Sequence, residues 1–233
     1  MIDPRAPRVR PDRLPIFVIS LARAERRRAR LSEQLERLGL ADDVRWFDAI
    51  DGASLTDDEI RRHCSRRGYR GFLRYPERAF NGTLTRGALG CALSWKALLP
   101  DIRQPTLVLE DDALFDEDFV ARFAHARQEI PSDWQLVYLS CNPYGIWMGE
   151  QLTPCVLRVE KRLHGTGALL IHPDAVGALL SLFPLDLQFD HDLPDRLIVP
   201  GRLAAYRITY QGQALITNDN LGGSLTQFAT SSA

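Results

Sequence analysis

Lysine is nearly absent from this chain of 233 residues: only Lys96 and Lys161 occur among 29 basic side chains, which leaves 27 arginines. Arginine grips phosphate bidentately, but so uniform a bias reads equally as genomic base composition. Neither charge is in excess, with 29 basic against 30 acidic groups and a net charge of −1, which excludes a general nucleic-acid binder. Cysteine is scarce. Cys64, Cys91, Cys141 and Cys155 show no Cys-x-x-Cys spacing and no histidine at zinc-finger distance, which argues against structural zinc and for a reducing compartment. Long apolar runs are missing too: the stretch 168–185 is interrupted by His172, Pro173 and Asp174, so no transmembrane helix is expected. Residues 14–22 superficially resemble a secretion signal behind several arginines, but Pro15 breaks the run and a charged helical segment follows. The expected location is cytoplasmic. There is no G-x-S-x-G elbow, no P-loop and no G-x-G-x-x-G, which disfavours a serine hydrolase, a P-loop kinase and a dinucleotide oxidoreductase.

What is present is an ordinary globular composition, 45% hydrophobic and 25% charged, at a length suited to one large domain. Residues 1–13 read as a loose lead-in, 14–228 as a single domain and 229–233 as a short tail, with no internal repeat or heptad. Apolar runs at 16–20, 44–47, 106–109, 135–140, 156–159 and 167–171 predict strands. Between them, 24–38, 86–99 and 117–130 predict helices, and Pro173 opens another. Thr56-x-x-Glu59 is a capping box predicting a helix to about Arg67. This alternation predicts an α/β fold with a mainly parallel sheet covered by helices on both faces.

The strongest chemical signal is the buried run 107–109 passing directly into Glu110, Asp111 and Asp112. In open α/β sheets ligands bind beyond the carboxyl ends of the strands, and a dication relieves the repulsion between adjacent carboxylates. Oxygen-only ligands favour Mg²⁺ or Mn²⁺ over zinc. Asp116, Glu117 and Asp118 read instead as the acidic first turn of a helix. A second acidic cluster holds Asp186, Asp190, His191, Asp192 and Asp195. It supplies either a general base for a hydroxyl or a polar loop with a helix cap around Asp190 or Asp192. Three weaker features remain open in the same way. Asp51-Gly52 is a turn or a ligand contact; Gly165-Thr166-Gly167 is a structural turn or a phosphate cradle; the seven arginines of residues 61–78 are a solvated face or a grip on phosphate or an anionic acceptor.

In order, these segments resemble glycosyltransferase family 25, the lipopolysaccharide-type sugar transferases related to the collagen galactosyltransferases. The resemblance rests on Ile19-Ser20-Leu21 with Arg26, on Ala49-Ile50-Asp51-Gly52, and on the segment Leu84-Thr85-Arg86-Gly87-Ala88-Leu89-Gly90-Cys91-Ala92-Leu93-Ser94. It continues through Leu109-Glu110-Asp111-Asp112, Gly165-Thr166-Gly167-Ala168-Leu169-Leu170-Ile171 and Asp190-His191. Two positions depart from the family pattern: Ser20 replaces Asn, and Trp95 stands where His is usual. The resemblance implies a GT-A type, Rossmann-like fold, a UDP-hexose donor, a Mn²⁺ or Mg²⁺ ion held by Glu110, Asp111 and Asp112, and inversion with one base. It makes Asp190 the leading base, ahead of Asp192 and His191. It also places Ser20, Arg26, Ala49, Asp51, Gly52, Thr85, Gly87, Ser94 and Asp111 around the donor. The expected acceptor is a glycan or lipid-linked hydroxyl in lipopolysaccharide or surface-glycan synthesis, with peripheral contact at the inner membrane. Two competing functions use the same residues: a metal-dependent phosphohydrolase or nucleotidyltransferase, and a non-catalytic nucleotide-sugar-binding protein.

Overall fold

The structure, a computed structural model, describes residues 14–76, 81–141 and 149–219. Arg78, half of the Pro/Gly loop at 141–154, the lead-in 1–13 and the tail 229–233 lie outside them. The strands are β1 (Ile16–Ser20), β2 (Val44–Asp48), β3 (Thr106–Glu110), β4 (Ala113–Phe115), β5 (Leu136–Ser140), β6 (Gly149–Gln151), β7 (Val156–Val159), β8 (Ala168–Ile171), β9 (Ala205–Tyr210), β10 (Gln213–Ala214) and β11 (Ile216–Asn218). The helices are α1 (Glu25–Arg37), α2 (Asp57–His63), α3 (Arg66–Arg74), α4 (Arg86–Leu98), α5 (Phe119–Arg127), α6 (Val176–Leu180) and α7 (Phe189–Leu193).

The main sheet runs β2-β1-β3-β8-β5-β9-β7-β6, with β10 attached to β9. β2, β1 and β3 are parallel, as are β5 and β9, while β8 lies antiparallel between β3 and β5. The α/β class holds, with mixed rather than uniform pairing. The reversal of β8 matters for the site. Ala168, at its start, pairs with Leu109 near the end of β3, so residues 165–167 are delivered to the carboxyl edge of the sheet. A parallel strand would have left them at the opposite edge.

Alternate side chains of the strands enter two cores, one on each face. Phe17, Ile19 and Val108 pack with Leu89, Leu93 and Trp95 of α4 and with Phe189 of α7. Ile16, Val18, Leu107 and Leu109 pack with Leu31 and Leu35 of α1 and Phe119 of α5.

The capping box forms as predicted, Thr56 accepting from the Glu59 amide while Glu59 accepts from Thr56. The helix it opens stops at His63, and Ser65 caps a separate helix, α3. The predicted helix 117–130 is regular only over Phe119–Arg127, and Asp116 and Asp118 both pair with Arg122 on it. Pro173 opens a short 3-10 turn leading into α6.

Candidate active site

At the carboxyl edge of β1 and β3 an open cleft lies between the loop after β2, the start of α1 and the N-terminal half of α4. Ser20, Ala49, Asp51, Gly52, Gly87 and the three acids Glu110, Asp111 and Asp112 line it, together with Arg23, Arg27 and Cys91. The cleft therefore gathers negative charge from the strand ends and positive charge from α1 and the turn before it.

Each acid is held differently. Asp111 is buried, with Oδ2 accepting from the Ser20 hydroxyl at 2.7 Å and Oδ1 from Arg27 at 3.0 Å. Arg28 fixes Ser20 in turn, donating to its hydroxyl at 3.2 Å and its carbonyl at 2.8 Å. Asp112 accepts from the Asn218 side-chain amide at 2.8 Å, and its carbonyl accepts from the Asp219 amide at 2.8 Å. Asn218 arrives there because β11 pairs antiparallel with β4, setting Asn218 opposite Ala113. Gly167 leaves room for it, since a Cβ would stand 2.2 Å from the Asn218 amide nitrogen. Glu110 accepts from the Thr166 hydroxyl at 2.6 Å. Burial, and then the charge of Asp112, pushes the Glu110 carboxyl up to about 7. Burial raises Asp112 as well.

Gly165-Thr166-Gly167 thus serves the acids rather than forming a phosphate cradle. Thr166 holds Glu110, the Gly167 carbonyl accepts from the Glu110 amide at 2.9 Å, and the Gly165 amide donates to Asp190 at 3.2 Å.

The opposite wall is set by a close backbone approach. A Cβ on Gly52 would meet the Arg86 carbonyl at 1.9 Å, and one on Gly90 would meet the Gly52 nitrogen at 2.5 Å. Glycine at both positions lets the 50–52 turn lie directly on α4. Ser94 locks it there, accepting from the Ile50 amide at 2.8 Å and donating to the Gly90 carbonyl at 2.7 Å. Ser94 is fully buried and Thr85 caps α4 through the Ala88 amide at 3.1 Å, so both support the wall from behind it. Asp51 accepts from Arg23 and caps the following turn through the Ala53 amide.

Arg26 is exposed and does not line the cleft; Arg23 and Arg27 do. For Arg27 the signal was available in the sequence, because it shares a helical stripe with the buried Leu31 and Leu35. Asn218, Thr166 and Cys91 were also missed as site residues, and Asn218 carries no local signal at all.

The second acidic cluster divides. Asp192 is 1% exposed and accepts from the Asp186 amide at 2.7 Å, the Leu187 amide at 3.2 Å and Arg196 at 3.4 Å. These bonds, all to Oδ2, fix the turn before α7 and hold the buried Asp192 in a supporting position. Asp190 is half-buried beside the acids, and its charge acts on Glu110, Cys91 and the buried Tyr138. His191 stacks against His164 with ring centroids 4.0 Å apart, and burial lowers its pKa. Trp95 is fully buried and stacks on Phe189 at 5.8 Å, so it anchors the residue next to Asp190.

Comparison with known proteins decides the family. The family described as "Glycosyltransferase family 25 (LPS biosynthesis protein)" matches residues 13–161, well over half of the sequence. The chain belongs to glycosyltransferase family 25. Its sheet and helices are those of the Rossmann-like GT-A class expected for that family. A glycosyltransferase 25 family member of Aedes aegypti is 30% identical over 141 residues, covering 58% of this chain and 22% of the relative. Mouse procollagen galactosyltransferase 2 is 29% identical over 153 residues, 62% of this chain and 23% of the relative. Human "inactive glycosyltransferase 25 family member 3" is 32% identical over 131 residues, 53% and 21%. The aligned region thus spans less than a quarter of each of these curated relatives. The family match ends before His164 and the 186–195 cluster.

Proposed function

We propose that this chain transfers a hexose, galactose or glucose, from a UDP-sugar to a hydroxyl acceptor, with inversion and with a divalent cation at the acidic motif. The observation that carries this reading is the cleft itself. Arg27 of α1, Arg23 of the turn before it and the three carboxylates at the end of β3 face one cavity at the sheet edge where nucleotides bind.

The donor set fits Mn²⁺ or Mg²⁺. All three acids offer oxygen, and such ions are usually held by one or two carboxylates together with substrate phosphates. Ser20 and Arg27 engage both oxygens of Asp111, while Glu110 and Asp112 each keep one oxygen outside the bonds described above. Glu110 and Asp112 are therefore the assigned ligands, and Asp111 orients the motif and its arginine. A cation bound there supplies Lewis-acid stabilisation to the leaving diphosphate. Arg23 and Arg27 pair with phosphate oxygens, and the 49–52 turn receives the nucleoside. Asp190, beside the acids, takes the acceptor proton as the anomeric bond breaks. The expected acceptor is a saccharide of a lipopolysaccharide or other surface glycan, reached by a protein working at the inner face of the membrane. Among the described residues no helix is long and apolar enough to cross a membrane.

The test is a thermal-shift panel of nucleotide sugars with and without Mn²⁺, since ligands of the native state raise its melting temperature, followed by assay of UDP release with candidate acceptors. A Mn²⁺-dependent shift for one UDP-hexose and acceptor-dependent UDP release support the reading. Donor binding without turnover indicates a non-catalytic binder, a reading the inactive-named human relative favours. Nucleotide hydrolysis or nucleotidyl transfer without a sugar acceptor identifies the alternative enzyme class.

A further inference from the structure

Two groups of three metal-ligating side chains come together among the described residues: His125 with Glu129 and Cys155, and His164 with Asp190 and His191. In each, one ligand atom per residue lies within 4.8 Å of the others. In the first group both oxygens of Glu129 already have partners: Oε2 accepts from the Thr153 hydroxyl and the Cys155 amide, and Oε1 lies 3.5 Å from His125 Nε2. In the second, each side chain is steadied from behind. His164 Nδ1 lies 3.2 Å from the Asp190 carbonyl oxygen. A carbonyl only accepts, so Nδ1 carries the proton and Nε2 keeps its lone pair. Asp190 Oδ2 accepts from the Gly165 amide at 3.2 Å, which leaves Oδ1 for another partner. The His191 ring rests against Gly82, where a Cβ would fall 2.6 Å from Cγ and Nδ1. Glycine there, held at φ +75°, gives the ring its place. Fixing the tautomer and orientation of an imidazole through its second nitrogen is how proteins prepare histidine as a ligand.

We propose that His164, Asp190 and His191 form a binding site for a divalent transition cation of the Zn²⁺ class, supplying two imidazole nitrogens and one carboxylate oxygen. Three protein ligands of this kind leave an open coordination position for water or an incoming oxygen. The donor set differs from that of the acidic motif: imidazole with carboxylate selects zinc-like ions, whereas oxygen alone suits Mg²⁺ and Mn²⁺. The two sites adjoin, since Thr166, which holds Glu110, is two residues from His164. Asp190 cannot be ligand and free base at once, so Zn²⁺ bound here competes with the transfer reaction. That consequence rests on the proposed function; the binding does not.

The experiment is calorimetric titration of the full chain with Zn²⁺ in excess Mg²⁺, which keeps the acidic motif filled. One Zn²⁺ per chain is expected at this site. His164→Ala and His191→Ala should each weaken it by about 10–100-fold or more, while Asp111→Asn and His125→Ala leave it unchanged. A second measurement uses the wild-type chain alone: diethyl pyrocarbonate labelling mapped by mass spectrometry, where Zn²⁺ should shield His164 and His191 and leave His125 reactive. The absence of a zinc isotherm in the wild type, its loss in Asp111→Asn or His125→Ala, or failure of zinc to shield His164 and His191 overturns the proposal.

Discussion

Ser20 and Asp111 meet across the ends of two parallel strands, hydroxyl to carboxylate at 2.7 Å, in a buried position. The bond joins the first strand of the fold to the middle of the acidic motif, 91 residues later. Ser20→Ala removes a donor to a buried charge, and such bonds contribute about 1.5–3 kcal/mol. Urea unfolding of the variant should show a loss of that order, with the slope of the transition unchanged. Wild-type stability would mean that Arg27 alone satisfies the carboxylate.

Arg27→Ala and Arg26→Ala separate the cleft from the helix surface. Arg27 bridges the cleft to Asp111, whereas Arg26 is exposed. Donor affinity should fall by about tenfold or more in Arg27→Ala, consistent with about 1.5–3 kcal/mol for a charged hydrogen bond, and hold in Arg26→Ala. Titration calorimetry with UDP and Mn²⁺ reads both. Equal losses in the two variants would contradict the assignment of phosphate binding to the 23–27 face.

Glu110 sets a pH dependence. Its proton is released at about 7 in the folded chain against an ordinary value of 4.5. Between these values the folded state holds the proton that the unfolded state has lost, so this group's contribution to stability falls as pH rises. From about pH 5 to about pH 8 the metal-free wild type should lose stability relative to Glu110→Gln. Cation binding requires the carboxylate, so the rise in melting temperature with Mn²⁺ should be larger at the upper end of that range. A flat difference between the two proteins across this range would show that Glu110 ionises normally.

The glycine contact behind the cleft can be broken by a single methyl group. In Gly90→Ala the new Cβ stands 2.5 Å from the Gly52 nitrogen and 2.6 Å from the Ile50 carbonyl, both backbone atoms that cannot swing aside. Overpacking of this kind costs about 1–3 kcal/mol. Thermal unfolding should report the loss, and KM for the donor should rise because the 49–52 turn is displaced. An unchanged melting temperature would show that α4 and the turn separate easily.

Asp190→Asn and Asp192→Asn should fail in different ways. The first removes the proposed base and should lower kcat by about 10²–10⁴-fold with donor affinity retained. The second weakens the acceptor for the Asp186 and Leu187 amides and should appear as lost stability. Wild-type kcat in Asp190→Asn would sink the base assignment.

The acidic motif was readable because a strand-length apolar run ending in three carboxylates is a local pattern. Six of the eleven described strands and most helices were readable for the same reason, from periodicity within a dozen residues, whereas β4, β6, β9, β10 and β11 were not expected. The direction of β8 was not, because no feature of Ala168–Ile171 records which neighbour it joins or how. That single reversal turned a suspected phosphate cradle into the support for Glu110. Asp190 and Asp192 look interchangeable in sequence, yet two backbone amides and an arginine claim one and not the other. Asn218 is one of several consecutive polar residues at the end of a three-residue strand, and only the pairing of that strand with β4 singles it out.

That last pairing also orders events in time. The chain emerges from the ribosome N-terminal end first, so β1, β3 and the three acids exist well before residue 218 does. Until β11 is synthesised and zipped onto β4, Asp112 lacks the Asn218 amide and the Asp219 tether. The support of Asp112 thus joins residues more than a hundred positions apart. Any shorter stretch that ends before residue 218 carries the three acids without the amide that aims Asp112.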